Sequence, residues 1–501
     1  MVLGLNASGL FYIKPYMRYF YAGLFNKYFF MQRFFIAIAV IIYFSGSALA
    51  QSGKFHGTWQ GKLNVGVELG IVFHITDSAG VLNASADSPD QNAFGMKCDS
   101  VFVTENTITI KMLALRASYI GKQNSDSIIE GTFTQGANLP LTLKKVNKVE
   151  VRKRPQTPKP PFSYKSEEVI YENADKSLKY GATITIPNGA GPFPAAVLIT
   201  GSGAQNRDEE ILGHKLFAVI ADHLTQNGII VLRVDDRGMG KSTGKFSEAT
   251  SADFANDVSA SVDYLLARNE VDKNKVGLIG HSEGGMIAPM VATKRTDINF
   301  VILLAGPGVK TLDLLVEQTG AIMISSGVNE KAVLSYKPLY RKLLLKTIGE
   351  TDTTKAFQKA IKLTEKWAGQ TDTTILIQLG MNDKYAREKA SEQMVKSVSG
   401  KWFKYFLQFD PAPYLRKLNC KVLALNGSKD LQVIAPQNIP GIEAALKKSN
   451  AQVKDIKVLE GLNHLFQTCK KCTLAEYGEL EETFSPVALQ EMVNWLNKNV
   501  K

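Results

Sequence analysis

The chain has 501 residues, which is too long for one hydrophobic core and predicts two or three domains; its 45% hydrophobic and 21% charged residues are typical of globular proteins. The net charge of +12 falls to +8 (55 basic against 47 acidic residues) without the first fifty residues, which carry four basic side chains and no acidic one. The remaining charges are scattered and mixed in sign, without an arginine-rich stripe or an aromatic stacking platform, so we predict no nucleic-acid partner.

Residues 31–50 carry the features of a secretory signal peptide. A positively charged start is followed by an apolar centre, 34–44, and by small residues that end at Ala50. The apolar centre is too short to span a bilayer comfortably, so we favour cleavage after Ala50 over a membrane anchor that is never cut. We therefore expect an exported protein, periplasmic or extracellular, with no stable membrane insertion after cleavage. Residues 1–30 would then be a spurious extension, with translation starting at Met31.

Residues 51–147 predict an all-β domain. Short runs alternate apolar and polar residues, Gly, Asp, Asn and Ser fill the gaps between them, and no helix-period segment interrupts the pattern. The predicted strands are 63–66, 70–75, 101–104, 107–111, 128–133 and 139–144.

Residues 148–164 form a charged, proline-rich stretch that predicts an extended, semi-rigid linker. A ligand for an SH3-type domain is the alternative interpretation. An exported protein would rarely meet such a partner, so we interpret the stretch as a spacer.

Residues 165–501 alternate predicted strands and helices, which favours a doubly wound, mainly parallel sheet with helices on both faces. The predicted strands are 167–171, 181–186, 195–200, 228–234, 275–279, 299–304, 421–426 and 455–459. The predicted helices are 215–226, 252–268, 285–294, 440–448 and 486–498.

One interval of this region, about 308–415, lacks strands and shows helical patterns at 354–367 and 386–406. A structureless loop of that length would be improbable in a compact domain, so we predict an inserted helical cap. The loops at the carboxyl ends of parallel strands line the crevice of such folds, which would place the cap over the site. Aromatic residues of the cap either line the pocket or belong to the core: Trp367, Trp402, Phe403 and Phe406.

The pentad Gly280-His281-Ser282-Glu283-Gly284 lies between a β-branched run and a helical pattern. A G-x-S-x-G sequence in that context predicts a nucleophile elbow, a sharp turn that projects the serine from the top of the sheet. The alternative is an ordinary glycine-rich loop. We predict Ser282 as the nucleophile.

A serine nucleophile needs a histidine base that is oriented by a carboxylate, in the chain order serine, acid, histidine. Apart from His281 within the pentad, His464 is the one histidine that follows Ser282, and it comes directly after the last predicted strand. Of the eight aspartates between Ser282 and His464, Asp430 alone stands just past a strand and its turn. We predict Asp430 and His464 as the partners of Ser282.

The tetrahedral intermediate of acyl transfer needs N–H donors for its oxyanion. The backbone N–H of Glu283 follows the nucleophile, at the start of a helix whose dipole favours negative charge. The second donor should come from the glycine-rich loop after the strand 195–200, where we predict Ser202 and then Gly203.

Residues 238–242 resemble the end of a phosphate-binding loop, but Asp235 stands where that motif requires its first glycine. The segment Asp235-Asp236-Arg237-Gly238 is better interpreted as the turn after a strand, with Arg237 bracing neighbouring loops through charge-assisted bonds.

The chain has four cysteines, too few for a disulfide framework: Cys98, Cys420, Cys469 and Cys472. The pair Cys469 and Cys472 could form a local bridge, a redox pair or half of a metal site. Because no second C-x-x-C and no nearby histidine pair completes a zinc set, we favour a loop staple or free thiols and predict no metal.

Five motifs together resemble those of bacterial α/β-hydrolases of the serine-esterase (carboxylesterase) type, over roughly residues 165–500. They are Gly280-His281-Ser282-Glu283-Gly284-Gly285; Gly201-Ser202-Gly203 with Arg207-Asp208-Glu209; Asp236-Arg237-Gly238-x-Gly240-x-Ser242; Gly427-x-x-Asp430-x-x-Val433; and Asn463-His464-Leu465-Phe466.

The resemblance implies hydrolysis of short carboxylic esters through an acyl-enzyme, with Ser282, Asp430 and His464 as the triad and no cofactor. Supporting roles would fall to Arg207, Asp236 and Arg237. The front domain is similar to small β-barrel-like domains found ahead of such esterases. Two alternatives stay open: a serine peptidase of the same fold, and a non-catalytic glycan- or lipid-binding protein that uses the β domain.

Overall fold

The computed structural model describes residues 53–78, 81–91 and 93–501, in two compact units that meet between Val151 and Arg152. The predicted signal peptide, 31–50, and the predicted extension, 1–30, lie outside the described residues. Among the residues described, no helix combines the length and the apolar character needed to cross a membrane.

The first unit contains a nine-stranded antiparallel sheet, with the strand order β4-β3-β2-β1-β9-β8-β7-β6-β5. Alternate residues of its strands are buried, and they form a core around Trp59, Phe73 and Tyr119. The strands are β1 (Gly57–Asn64), β2 (Glu68–Ser78), β3 (Val81–Ser88), β4 (Ala93–Lys97), β5 (Ser100–Thr104), β6 (Thr107–Met112), β7 (Ala117–Ser125), β8 (Ile128–Thr134) and β9 (Asn138–Val146).

The expected all-β character of this unit is confirmed, but three strands went unpredicted: β3, β4 and β7. Strand β3 is rich in small polar residues, which gave no apolar alternation. The predicted run 63–66 was misplaced, because β1 starts at Gly57 and has already ended at Asn64. In these strands pairing with neighbours overrides the weak local signal.

The second unit is built on an eight-stranded sheet with the order β10-β11-β15-β12-β16-β17-β18-β19. Strands β10 and β11 pair antiparallel and β11 joins β15 antiparallel, whereas the strands from β15 to β19 pair in parallel. The strands are β10 (Lys165–Glu172), β11 (Lys179–Ile186), β12 (Phe193–Ile199), β13 (Glu210–Ile211), β14 (His214–Lys215), β15 (Ile230–Val234), β16 (Val271–His281), β17 (Phe300–Leu304), β18 (Lys421–Gly427) and β19 (Lys454–Leu459); β13 and β14 form a separate small hairpin.

Helices cover both faces of this sheet, because its central strands are apolar on both sides. One face packs against α2, α3 and α11 and the other against α1 and α12. These helices are α1 (Leu216–Gln226), α2 (Ser251–Leu266), α3 (Gly284–Ala292), α11 (Ala435–Leu446) and α12 (Pro486–Asn499). We expected α11 to start at Pro440, but the helix starts at Ala435 with a proline in its first turn, where the missing N–H costs nothing.

The cap consists of seven helices between β17 and β18, so the predicted doubly wound sheet with an inserted helical cap is confirmed. The helices are α4 (Thr311–Ser325), α5 (Glu330–Thr347), α6 (Thr353–Ala368), α7 (Thr373–Gln378), α8 (Lys384–Val398), α9 (Lys401–Gln408) and α10 (Ala412–Leu415). The single helix predicted over 386–406 is two helices, α8 and α9. Gly400 adopts extended backbone between them and serves as the N-cap of α9.

The stretch predicted as a spacer is held against the second unit. The Arg154 guanidinium donates hydrogen bonds to the carbonyl oxygens of Leu212, Gly478 and Leu480, at 2.8–2.9 Å. The Gln156 side chain also donates to the carbonyl oxygen of Phe484 at 2.7 Å. Side-chain to backbone bonds of this kind fix an extended segment that forms no strand or helix of its own.

Candidate active site

Ser282 occupies a strained turn between β16 and α3. Its backbone has φ +53°, a left-handed conformation that non-glycine residues rarely adopt. The turn is held by the Ser282 N–H, which donates to the carbonyl oxygen of Leu304 on the neighbouring strand at 2.9 Å. A Cβ on Gly284 would lie 2.1 Å from the carbonyl oxygen of Ile199, so only glycine allows this approach. The local geometry is that of a nucleophile elbow.

Asp430 and His464 form a buried hydrogen-bonded pair. The Nδ1 atom of His464 lies 2.9 Å from Oδ2 of Asp430, and the two residues are 4% and 3% exposed. The other carboxylate oxygen, Oδ1, accepts the backbone N–H groups of Gln432 and Val433 at 2.7 and 2.8 Å. Because these contacts fix the carboxylate, it can hold the imidazole in the tautomer that leaves Nε2 free to accept a proton.

The loop that carries His464 is built around its neighbour Asn463. The Asn463 side-chain oxygen accepts the backbone N–H groups of Leu465 and Gln467, both at 3.0 Å, and so closes a tight turn. The loop also touches the end of β18, where a Cβ on Gly427 would lie 2.2 Å from the carbonyl oxygen of Leu462. The glycine of the Gly427-x-x-Asp430 motif therefore lets the two loops meet.

The loop after β12, which carries Ser202 and Gly203, is fixed by two carboxyl groups, one half-buried (Asp236) and one fully buried (Glu209). Asp236 accepts the Thr200 hydroxyl and the Gln205 N–H, both at 2.8 Å, and so ties the two ends of the loop together. Glu209 accepts the N–H of Gly201 at 2.6 Å. The N–H groups of Ser202 and Glu283 find no hydrogen-bond partner among the described residues, which leaves both available to an oxyanion.

A second histidine connects these loops, and its role was missed from the sequence. Nδ1 of His281 lies 3.0 Å from Oε1 of Glu209, and its Nε2 donates to the carbonyl oxygen of His464 at 3.0 Å. Burial lowers the pKa of His281, but the Glu209 carboxylate and the His464 carbonyl outweigh it and raise the pKa above its ordinary value. His281 and Glu209 each belong to a motif identified in the sequence, but the sequence did not predict the contact between them.

The Glu283 side chain is buried at the same place. Its Oε1 accepts the Ser251 hydroxyl at 2.6 Å and the indole N–H of Trp402, from the cap, at 2.9 Å. Burial raises the pKa of Glu283, against the hydrogen bonds from Ser251, Trp402 and Ser202. The residue after the nucleophile therefore contacts both the oxyanion loop and the cap.

A cavity of about 50 Å³ lies behind the oxyanion loop. Its lining combines apolar and polar side chains with Arg237 and four acidic residues: Asp235, Asp236, Asp257 and Glu283. Burial raises the pKa of Asp236 to about 8, against the hydrogen bonds from the Gln205 N–H and the Thr200 hydroxyl. This side of the site therefore holds carboxyl groups that resist ionisation.

The predicted supporting residues brace the surrounding loops. Arg207 binds Asp235 through Nε and Nη2, at 3.1 and 2.7 Å, and Arg237 binds Asp257 of α2 through Nε and Nη2, at 2.6 and 2.8 Å. Bidentate pairs of this kind fix geometry as well as charge. Asp236 has the more direct role, because it bonds the oxyanion loop itself.

Cys469 and Cys472 form a disulfide in the loop that follows His464. Among the described residues, the one cluster with three potential metal ligands adds Glu476 to these two cysteines. The two sulfurs are bonded to each other, and the Glu476 carboxylate accepts the N–H groups of Lys470, Lys471 and Cys472. The cluster therefore closes the loop, in line with the expected staple.

The structure brings most of the predicted site residues to one edge of the sheet. Asp430 and His464 touch, and His281, which precedes Ser282, lies against His464 with ring centroids 4.9 Å apart. Within the described residues, the Ser282 hydroxyl makes no hydrogen bond to His464. Catalytic hydrogen bonds are often loose before substrate binds, so the assignment of the triad stays a prediction.

The comparisons with known proteins point to hydrolases. The profile of the family described as Serine aminopeptidase, S33 matches residues 214–409, a stretch that contains Ser282 and ends before Asp430. The chain is 27% identical over 316 residues to Esterase EstD of Thermotoga maritima, covering 63% of this chain and 65% of that protein. It is 28% identical over 209 residues to a prolyl endopeptidase of Elizabethkingia miricola, covering 40% of this chain and 28% of that protein.

The chain thus spans 65% of the length of the esterase and a smaller share of the endopeptidase. Among solved structures, an esterase of Pyrococcus furiosus, Pf2001, is similar at 14% identity with a TM-score of 0.40, over 68% of this chain and 94% of that one.

Proposed function

We propose that this chain, an α/β-hydrolase that resembles bacterial serine esterases, is an exported serine hydrolase that cleaves carboxylic esters, preferably with short acyl chains. The observation that carries the proposal is the buried pair of Asp430 and His464, 2.9 Å apart, at the sheet edge where the strained elbow presents Ser282. The similarity to an esterase supports the same chemistry.

The reaction would proceed in two halves. The Ser282 hydroxyl attacks the ester carbonyl while Nε2 of His464 takes its proton, and Asp430 stabilises the imidazolium that forms. The N–H groups of Glu283 and Ser202 receive the oxyanion. The imidazolium then protonates the leaving alcohol, and a water activated by His464 hydrolyses the acyl-enzyme and regenerates Ser282.

The test is replacement of the nucleophile. Ser282→Ala should lower kcat with p-nitrophenyl acetate by on the order of 10⁵-fold, because no other hydroxyl can form the acyl-enzyme. Ser259→Ala is the matched control, since this serine lies on α2 and, within the described part of the chain, its hydroxyl bonds only to the carbonyl oxygen of Ala255. Hydrolysis retained in Ser282→Ala would refute the proposal.

A serine peptidase is the second candidate, supported by the family description and by the similarity to an endopeptidase. Matched p-nitrophenyl esters and p-nitroanilide peptides separate the two functions. We expect kcat/KM to be higher for the esters, and to fall as the acyl chain lengthens; a higher value for the peptides would favour the peptidase. Acetylated sugars belong in the same panel, as esters with a bulky alcohol.

A binding protein that uses the β domain is the remaining alternative. A fluorophosphonate probe forms a covalent bond only with an activated serine, so labelling of the wild-type protein and not of Ser282→Ala would exclude it. Export is tested by sequencing the N-terminus of the secreted protein, for which we expect Gln51.

A further inference from the structure

One contact joins the cap directly to the nucleophile elbow. The indole Nε1–H of Trp402, in the first turn of α9, donates to Oε1 of Glu283 at 2.9 Å. Glu283 is 2% exposed and directly follows Ser282 in the chain. A hydrogen bond to a buried carboxyl group is strong, because its loss would leave a polar atom without a partner away from water.

The Trp402 side chain is itself held in place. Its ring stacks on Phe406 with a centroid distance of 5.2 Å and meets the edge of Phe403 at 6.0 Å. The Thr311 hydroxyl binds the carbonyl oxygen of Phe406, so α9 is fixed to the start of α4. Trp402 therefore transmits the position of the cap to Glu283.

Glu283 in turn lies at the centre of the predicted oxyanion hole. Its side chain contacts the hydroxyls of Ser251 and Ser202, and its own backbone N–H is one of the two predicted oxyanion donors. Only four bonds separate this N–H from the carboxyl group. A displacement of the carboxyl group would therefore move the donor, and donors must lie within about 3 Å of the developing oxyanion to stabilise it.

We propose that Trp402 is a positioning residue: by holding the Glu283 carboxyl group, it places the Glu283 N–H for the oxyanion, so the oxyanion hole is complete only with the cap docked. The inference rests on the proposed function, because it gives that site its dependence on the cap. Loss of the Trp402 hydrogen bond should therefore lower kcat and leave substrate binding unchanged. The fall in kcat should be the same for esters of every acyl chain length.

The chain offers a matched control for this contact. Trp367, also in the cap, donates its indole N–H to the carbonyl oxygen of Ser335 at 3.2 Å, within the cap and away from the elbow. Trp402→Phe and Trp367→Phe each remove one indole hydrogen bond and keep an aromatic ring. We expect Trp402→Phe to lower kcat about tenfold with KM within twofold of wild type. The loss is partial because a displaced oxyanion donor loses only part of the stabilisation that a deleted donor would lose. We expect Trp367→Phe to change neither kcat nor KM.

A second pair of variants tests the carboxyl group. Glu283→Ala removes the acceptor, whereas Glu283→Gln keeps an oxygen that accepts from both Ser251 and Trp402. We expect kcat of Glu283→Gln to be at least tenfold higher than kcat of Glu283→Ala. Thermal unfolding of all four variants identifies any that fail to fold.

Each variant is also measured by its rate of reaction with the fluorophosphonate probe, whose P–F bond breaks as the serine oxygen binds phosphorus and fluoride leaves. This reaction uses the oxyanion hole without requiring any particular ester. If the wild type reacts but Trp402→Phe reacts equally fast, only the inference fails; equal losses in both tryptophan variants, or a change in KM alone, would also overturn it. A wild type that reacts but hydrolyses no ester refutes the esterase proposal alone, and a wild type that does not react overturns both.

Discussion

The candidate site has two sides that bury different chemistry. On the nucleophile side, the loops after β12, β15 and β16 bury the carboxyl groups of Glu209, Asp235 and Glu283, and Asp236 lies half-buried beside them. On the acid–base side, the loops after β18 and β19 bury the pair of Asp430 and His464. The segment after β19 also buries His214 of β14, which contacts Gln467, Tyr477 and Thr483. Both sides lie at the carboxyl ends of parallel strands, so the sheet alone does not make them different.

The difference lies in how each side responds to protons. Burial raises the pKa of Asp236 to about 8, so ionisation in base opposes the folded state there. His214 shows the opposite behaviour: burial, and then the positive charge of Arg154, lower its pKa to about 3, so protonation in acid opposes the folded state. The comparison predicts that acid and base damage the site from opposite sides, with greatest stability between them.

Of the changes that test this comparison, the largest effect is expected from replacing the carboxylate that orients His464. In Asp430→Asn the side-chain oxygen can still accept the N–H groups of Gln432 and Val433, but the amide NH₂ then faces Nδ1 of His464 and selects the wrong tautomer. We expect kcat for p-nitrophenyl acetate to fall about 10⁴-fold with little change in unfolding temperature.

Asp410→Asn is the control for that variant. Asp410 also lies between Ser282 and His464 in the chain, but its Oδ1 accepts the N–H of Ala412 and no other hydrogen bond from the residues that the structure describes. Near-normal kcat in Asp430→Asn, or an equal loss in Asp410→Asn, would show that the acid was assigned wrongly.

The central fold of the second unit was predictable because its signals are local. The strand β12, the second half of β16 and the middle of β18 are buried apolar runs, and each strand was expected within a few residues of its observed position. The break between α8 and α9 was missed, because one glycine in a helical pattern is often tolerated.

In the candidate site, the reactive residues could be predicted from the sequence but the contacts that hold them could not. Ser282, Asp430 and His464 could be proposed because chain order and strand ends restrict the choice to few residues. The bonds of Glu209 with His281 and of Glu283 with Trp402 join residues 72 and 119 positions apart, and no local pattern marks such pairs. Sequence therefore indicates which residues react more readily than which residues hold them.

The next prediction tests the nucleophile side by raising the pH. Asp236 keeps its proton in the folded state up to about pH 8, whereas the unfolded carboxyl group ionises near pH 4. Its contribution to the free energy of unfolding is thus fully present below pH 4 and falls as pH rises towards 8, by about 2–3 kcal/mol between pH 5 and 7. Asp236→Asn cannot ionise and should lose this slope.

Denaturant unfolding of wild type and variant at pH 5 and 7 measures that slope. In the variant the amide oxygen can still accept the Gln205 N–H, and the NH₂ group then faces the Thr200 hydroxyl. Any cost of that exchange is the same at both pH values, so the change in stability between them, and not the absolute stability, is the readout. Asp263→Asn, on the exposed surface of α2, controls for removal of a carboxylate. If the free energy of unfolding changed by the same amount between pH 5 and 7 in wild type and in Asp236→Asn, Asp236 would already be ionised at pH 5.

The smallest expected effect comes from the acid–base side as the pH falls. His214 is fully buried; as a neutral ring it can donate from Nε2 to the carbonyl oxygen of Tyr477 and accept the Thr483 hydroxyl at Nδ1, both at 2.9 Å. The unfolded histidine gains a proton near pH 6.5, whereas the folded one resists to about pH 3. Stability should therefore fall by about 2 kcal/mol between pH 7 and 5 through this residue alone.

His214→Gln should remove this acid sensitivity while it leaves the slope due to Asp236 in place. Unfolding midpoints at pH 5 and 7 for wild type, His214→Gln and Asp236→Asn then separate the two sides, because the two substitutions change the pH dependence with opposite signs. If both variants shifted the pH dependence of stability in the same direction, the two sides would not bury a neutral acid and a neutral base. That result would contradict the proposed difference between a nucleophile side rich in carboxyl groups and an acid–base side that buries a neutral histidine, whatever the effect of either variant on activity.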